Sequence, residues 1–222
     1  CGMANITQLI DKQDVFEVVR DKIAVILADE SAMQVQLATA AGKPDPSLWA
    51  LKVYTERASP WDDAADGDII VNVWFDTASV DEAASNTVRS QTMRGTFNID
   101  VIGFGNSKPN GTGGHRPGDE VAALNAQRGL RLVRNIIMAS SYTYLGLRTI
   151  VGQRMPQSIT SFQPQLNSKP ADHVVGARLA LGVRYEEFSP QFEPAILQEL
   201  GVRVERAEDG QVLAQLDYDY TP

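Results

Sequence analysis

Ala177, Leu179, Leu181, Val183 and Tyr185 recur at every second position, and no other feature narrows the possible folds of this chain as far. A period of two fits a strand with one buried face, because successive side chains leave opposite sides of a pleated backbone. Ile69, Val71, Val73 and Phe75 repeat the signature, and here the intervening Ile70 and Trp74 make the second face partly apolar as well. Phe97, Ile99 and Val101 do the same, which places another strand over about residues 93–104. Leu51 with Val53, Tyr142 to Val151 and Ser158 to Gln163 are shorter candidates.

Two segments carry the helical period instead. Asp14 followed by Glu17 has the spacing of a capping box, and Val15, Val18, Val19, Ile23, Ile26 and Leu27 then form one apolar face. The pattern weakens after Asp29-Glu30-Ser31, and Gly42-Lys43-Pro44 stops it. A second helix is expected from a cap at Asp119, with Val121, Leu124, Leu132, Val133, Ile136 and Ile137 as its stripe. Arg128, Arg131 and Arg134 fall on another of its faces. They read either as a solvated face or as partners for carboxylates across a subunit boundary. Residues 78–90 read as a polar connection. Residues 105–118, rich in glycine and proline, read as a mobile loop.

The tail changes character. Pro190 and Pro194 mark a linker. Val202 and Val204, a turn at Glu208-Asp209-Gly210, and then Val212, Ala214, Leu216 and Tyr218 spell a hairpin. A two-stranded hairpin is rarely stable alone, so this arm must pack on the body or on a neighbouring subunit. The expected division is therefore a body over residues 1–188 and a linker with hairpin arm over 189–222. Strands joined by short turns imply a mostly antiparallel sheet with two long helices packed on it, an α+β fold.

Composition limits the function. The chain has 222 residues, of which 43% are hydrophobic, enough for one core and an appended arm. Its formal net charge of −8 argues against nonspecific nucleic-acid binding and against a polybasic hold on a membrane. The single cysteine, Cys1, allows no intrachain disulfide, which fits a reducing compartment. Met3 reads as the natural start, with Cys1 and Gly2 additions ahead of it. No signal segment follows, and the longest apolar runs, such as residues 24–28, are too short to span a bilayer.

The search for chemistry leaves little. His115 and His173 are the two histidines, and neither has a second ligand at metal-binding spacing. Gly103-Phe104-Gly105 lacks the third glycine of a dinucleotide fingerprint, because position 108 is Lys. The glycine-rich loop ends in Gly118-Asp119-Glu120 rather than in a phosphate-loop Gly-Lys-Ser/Thr. No Gly-x-Ser-x-Gly elbow occurs. Asp62, Asp63, Asp66 and Asp68 crowd one loop, but without the closing glutamate of a calcium site. The expectation is no catalytic, cofactor-binding or metal-ligating residue. An enzyme with a scattered site would draw on His115, Asp119 and Glu120.

The order of helix, strand group, helix and closing strand group resembles the tail-terminator and neck-protein family of tailed bacteriophages, with the lambda-type terminators as reference members. The residues that carry the resemblance are Phe16 to Leu27, Thr96 to Phe104, Val121 to Ala139 and Gly176 to Tyr185, and it spans roughly residues 14–188. The resemblance implies a virion protein assembled in the host cytoplasm as a six-subunit ring. Such a ring caps the tail tube, halts its growth and meets the head connector. The implied partners are other copies of the chain, the tail tube with a possible sheath protein, and the connector, with no sequence-specific nucleic acid and no membrane. The greater length of this chain leaves open a neighbouring neck, head-completion or tail component. Outside the family, the alternatives are a bacterial adaptor domain or the scattered-site enzyme.

Overall fold

The computed structural model describes residues 6, 9–60, 67–164, 173–189, 199–205 and 212–219, the last two segments as backbone only. Residues 13–190 form one compact unit, and β8 and β9 below belong to a second, treated separately. In chain order the described elements are α1 (Val15–Ala40), β1 (Lys52–Thr55), β2 (Ile69–Val80), β3 (Ser90–Gly105), β4 (Lys108–Pro109), β5 (His115–Arg116), α2 (Gly118–Met138), β6 (Val151–Phe162), β7 (His173–Phe188), β8 (Glu199–Glu205) and β9 (Val212–Asp219). With two helices on a mixed five-stranded sheet, the fold is α+β.

The sheet has the order β1-β2-β3-β7-β6, and only the β1–β2 pair is parallel. Period-two alternation gives its strands two distinct faces. Val71 and Val73 of β2, Phe97, Ile99 and Val101 of β3, and Leu179, Leu181, Val183 and Tyr185 of β7 all enter one core. The helices supply the other side of that core, with Val19, Ile23, Ile26 and Leu27 from α1 and Val133, Ile136 and Ile137 from α2. At the start of α1 the Glu17 carboxylate accepts the Asp14 N–H at 2.9 Å, and Glu187 of β7 accepts the Val15 N–H at 3.1 Å. Two of the otherwise orphaned donors of the first turn are thereby satisfied. The helix runs on through Asp29-Glu30-Ser31 because buried Ser31 holds a partner. Its hydroxyl donates to the Trp49 carbonyl at 2.9 Å and accepts the Leu51 N–H at 2.8 Å, fixing the turn Pro46–Trp49 against α1.

Helix α2 lies almost on the backbone of β3. A Cβ on Gly103 would sit 2.4 Å from both the Ala122 carbonyl oxygen and the Ala126 nitrogen, and one on Gly105 would sit 2.4 Å from the Ala122 nitrogen. The Gly103-Phe104-Gly105 pair is thus the end of a strand whose missing side chains admit a helix.

Four local expectations need correction. Residues 78–80 belong to β2 and residue 90 begins β3, since Ser79 and Val80 pair with Arg94 and Met93. Backbone hydrogen bonds continue there without apolar alternation. Tyr142 to Ile150 is not a strand. It holds a 3₁₀ turn (Ser140–Tyr142) and then Leu145 and Gly146 at φ 51° and 71°, left-handed conformations that interrupt any strand. Burial of the Leu145 side chain offsets that cost. The strand in this region, β6, starts at Val151. Helix α2 begins at Gly118 with Pro117 before it, so Asp119 lies in the first turn and is not the cap. There its charge still favours the positive end of the helix. The glycine-rich loop is built as a hairpin of β4 and β5 around Asn110. The Asn110 Oδ1 accepts the N–H groups of Thr112 and Gly114, each at 3.0 Å.

In the second unit β8 and β9 pair antiparallel, from Glu199 opposite Asp219 to Glu205 opposite Val212. The turn expected at Glu208-Asp209-Gly210 lies outside the described residues.

Candidate functional site

The face of the sheet turned away from the helices is polar at its centre. Asp100 projects from β3 between Ile99 and Val101 and is buried. Arg178, on the facing residue of β7, donates to it through Nε at 2.6 Å and through a terminal nitrogen at 2.9 Å. Trp74 of β2 adds its indole N–H at 3.0 Å. The guanidinium also lies 4.9 Å from the Trp74 ring centre and 5.3 Å from that of Phe162 on β6. Gly176 makes room for Phe162, whose ring would stand 2.5 Å from a Cβ at that position. Bonding to Asp100 raises the Arg178 pKa above its ordinary value against partial desolvation, so the cation is permanent.

Above this clamp opens a cleft of about 420 Å³ with Arg57, Pro60, Asn72 and Gln163 on its rim. The Asn72 amide accepts the Arg57 N–H at 3.1 Å and donates to the Arg57 carbonyl at 2.9 Å, which pins that rim to β2. Glu56, at φ 51°, accepts the Phe75 N–H at 3.0 Å and an Arg20 nitrogen at 3.3 Å, joining α1 to the bulge in β2. Asp100 is occupied by three donors and Arg178 by a carboxylate and two rings. The arrangement ties four strands together.

Three further clusters follow the same logic. Buried Asp81 pairs with Arg94 at 3.0 Å and Arg184 at 3.2 Å. The hydrogen bond from Arg94 is the main influence holding its carboxyl below the usual range, against partial desolvation. Arg154 of β6 donates through Nε to the Ile137 carbonyl and through a terminal nitrogen to the Ala139 carbonyl, each at 2.7 Å. One side chain so closes the C-terminal end of α2, where carbonyls would otherwise lack donors. Tyr142 donates to Glu30 of α1, and that bond, with some desolvation, pushes its pKa up to about 12.

The residues singled out from sequence do not converge. His115, Asp119 and Glu120 are all exposed; Glu120 pairs with Arg116 at 3.1 Å, and nothing joins His115 to either acid. His173 opens β7 with its ring against Gly118. No cluster of three or more His, Cys, Asp or Glu side chains able to hold a metal occurs among the described residues. Asp62, Asp63 and Asp66 lie outside those residues, and Asp68 pairs with Lys52 at 2.6 Å. Of the arginine row, Arg128 donates to Asn125 at 3.2 Å, while Arg131 and Arg134 are exposed and make no ion pair among the described residues. Sequence reasoning missed the Asp100–Arg178 clamp. The available signal was one charge of each sign, Asp100 and Arg178, within the mostly apolar stretches 97–104 and 174–183.

No protein-family model matches this chain, and no curated protein matches it in sequence. Among the described residues no helix is long and apolar enough to cross a membrane.

Proposed function

We propose that this chain is a structural subunit of a tailed-phage virion, a tail terminator or adjacent neck protein that assembles as a ring on the end of the tail tube. The observation that supports this best is where the four resembling segments lie. They fall in α1, β3, α2 and β7, which pack on one another around a single core. These are the two helices and two of the three inner strands of the body, so the resemblance covers a contiguous frame. The polar centre of the sheet supports the same reading by its chemistry, because its charged groups are spent on holding strands together.

Negative-stain electron microscopy of the concentrated protein, with and without tail tubes, tests the proposal. Six-fold rings or caps on tube ends are the expected result. A chain that stays monomeric and ignores tubes overturns it and favours the adaptor reading.

A further inference from the structure

β6 is a 12-residue strand at the edge of the sheet, with β7 on one side and, among the described residues, no strand on the other. Long open edges invite pairing with another chain, and proteins usually blunt them with prolines, bulges or charges. The first half of β6 is blunted in this way. It carries Pro156, register shifts at Val151/Gln153 and at Pro156/Ser158, and Arg154, which is tied to α2. The second half is not. Ser158, Ile159, Thr160, Ser161 and Phe162 pair in unbroken register with Ala180 to Gly176 of β7. This stretch has no charge and no proline, and Ile159 is 50% exposed.

The same chain carries an element with the complementary deficit. β8 and β9, of seven and eight residues, form a two-stranded sheet among the described residues. Such a hairpin is marginal in water and gains stability from a third strand. Ten residues separate the end of β7 from the start of β8, a tether that reaches about 33 Å when extended.

We propose that the open half of β6, Ser158–Phe162, is the docking edge for the β8–β9 hairpin of a second copy of this chain. This rests on the ring reading above and specifies the contact between neighbours. Main-chain hydrogen bonds supply the attraction, and Ile159 and Phe162 supply side-chain contact on either face. The edge and the hairpin are different surfaces, so the contact is heterologous. Repeated around an axis, it closes a ring.

The test uses the full-length chain over concentrations that span monomer and assembly. Amide exchange over residues 158–162 and over the hairpin should slow together as the oligomer forms. The double variant Ile159→Lys/Ser161→Lys, at two exposed positions, should lose the oligomer. In a Cys1→Ser background, a tagged Ser161→Cys copy mixed with an untagged copy carrying Gln215→Cys or its cross-strand neighbour Arg203→Cys should form a tagged–untagged disulfide dimer under oxidation. If the lysine variant fails to fold, the exchange and crosslinking results decide. Assembly of the wild type with unchanged exchange over 158–162 and no mixed dimer overturns this contact and leaves the ring reading standing. Protection that is already complete in the monomer also overturns it, since the hairpin would then be pairing within its own chain. A wild type that never assembles, even on tubes, removes the ring reading itself, and this contact with it.

Discussion

The two faces of the central sheet are built from alternate residues of the same strands, yet they are interiors of different kinds. On the helix side, Val71, Val101, Leu179 and Leu181 share one apolar cluster with side chains of α1 and α2. On the other side, at the neighbouring positions, Trp74, Asp100 and Arg178 make a hydrogen-bonded clamp. Area removed from water stabilises the first face, and it depends on shape. Complete pairing stabilises the second, and it depends on no member being left alone. The comparison teaches that the first face tolerates small losses in proportion, whereas the second fails by stranding a charge.

The largest expected effect lies on the apolar face. Leu181→Ala should cost about 3 kcal/mol, measured by chemical denaturation, since it removes a fully buried side chain from the centre of the core. Gly103→Ala should cost roughly 2 to 3 kcal/mol even though it adds one methyl group, because the methyl meets helix backbone that can only shift as a unit. Loss of much less would mean that α2 rides further from β3 than described.

The polar face should behave otherwise. Asp100→Ala should cost about 2 kcal/mol, a figure lowered by the partial exposure of Arg178, because it leaves that cation without its carboxylate. The double replacement Asp100→Leu/Arg178→Met should recover most of that loss. If the double variant is as unstable as the single, the clamp contributes directly to stability and the contrast between the faces weakens.

Smallest is the tie between Tyr142 and Glu30. Tyr142→Phe should cost about 1 kcal/mol at neutral pH. The Tyr142 pKa is raised on folding, so its contribution is complete below the ordinary tyrosine value of about 10 and fades as pH climbs toward about 12. Burial raises Tyr185 in the same direction. An alkaline titration of stability should therefore flatten in Tyr142→Phe without becoming level. Asp81 acts with the opposite sign: its carboxyl is lowered, so its share is present at neutral pH and is lost on acidification below the ordinary carboxylate range.

Much of the helix-side face was legible in the sequence, because periodicity and burial share a cause. Val19, Ile23 and Leu27 on α1 and the alternation of β7 needed no structure to be placed in a core. The face opposite was not legible, since a lone Asp100 and a lone Arg178 mean nothing until register brings strands β3 and β7 together. Residues 142–150 were misread for a different reason. Tyr142, Leu145, Leu147 and Ile150 look strand-like in composition, but their backbone follows turns that pin single side chains rather than a face. The glycines at 103 and 105 were visible as glycines, but their purpose depends on a helix that arrives thirteen residues later.

Arg154 has a mechanical consequence. Its guanidinium bridges from β6 to the Ile137 and Ala139 carbonyls at the end of α2. A sideways pull on β6 must therefore break those two bonds together or carry the end of the helix with it. Force entering at the rim of the sheet is handed to the long axis of α2, and from there to the seam where α2 rests on Gly103 and Gly105. That seam has little slack, so the body should transmit load as a stiff piece and yield, if at all, at its connections.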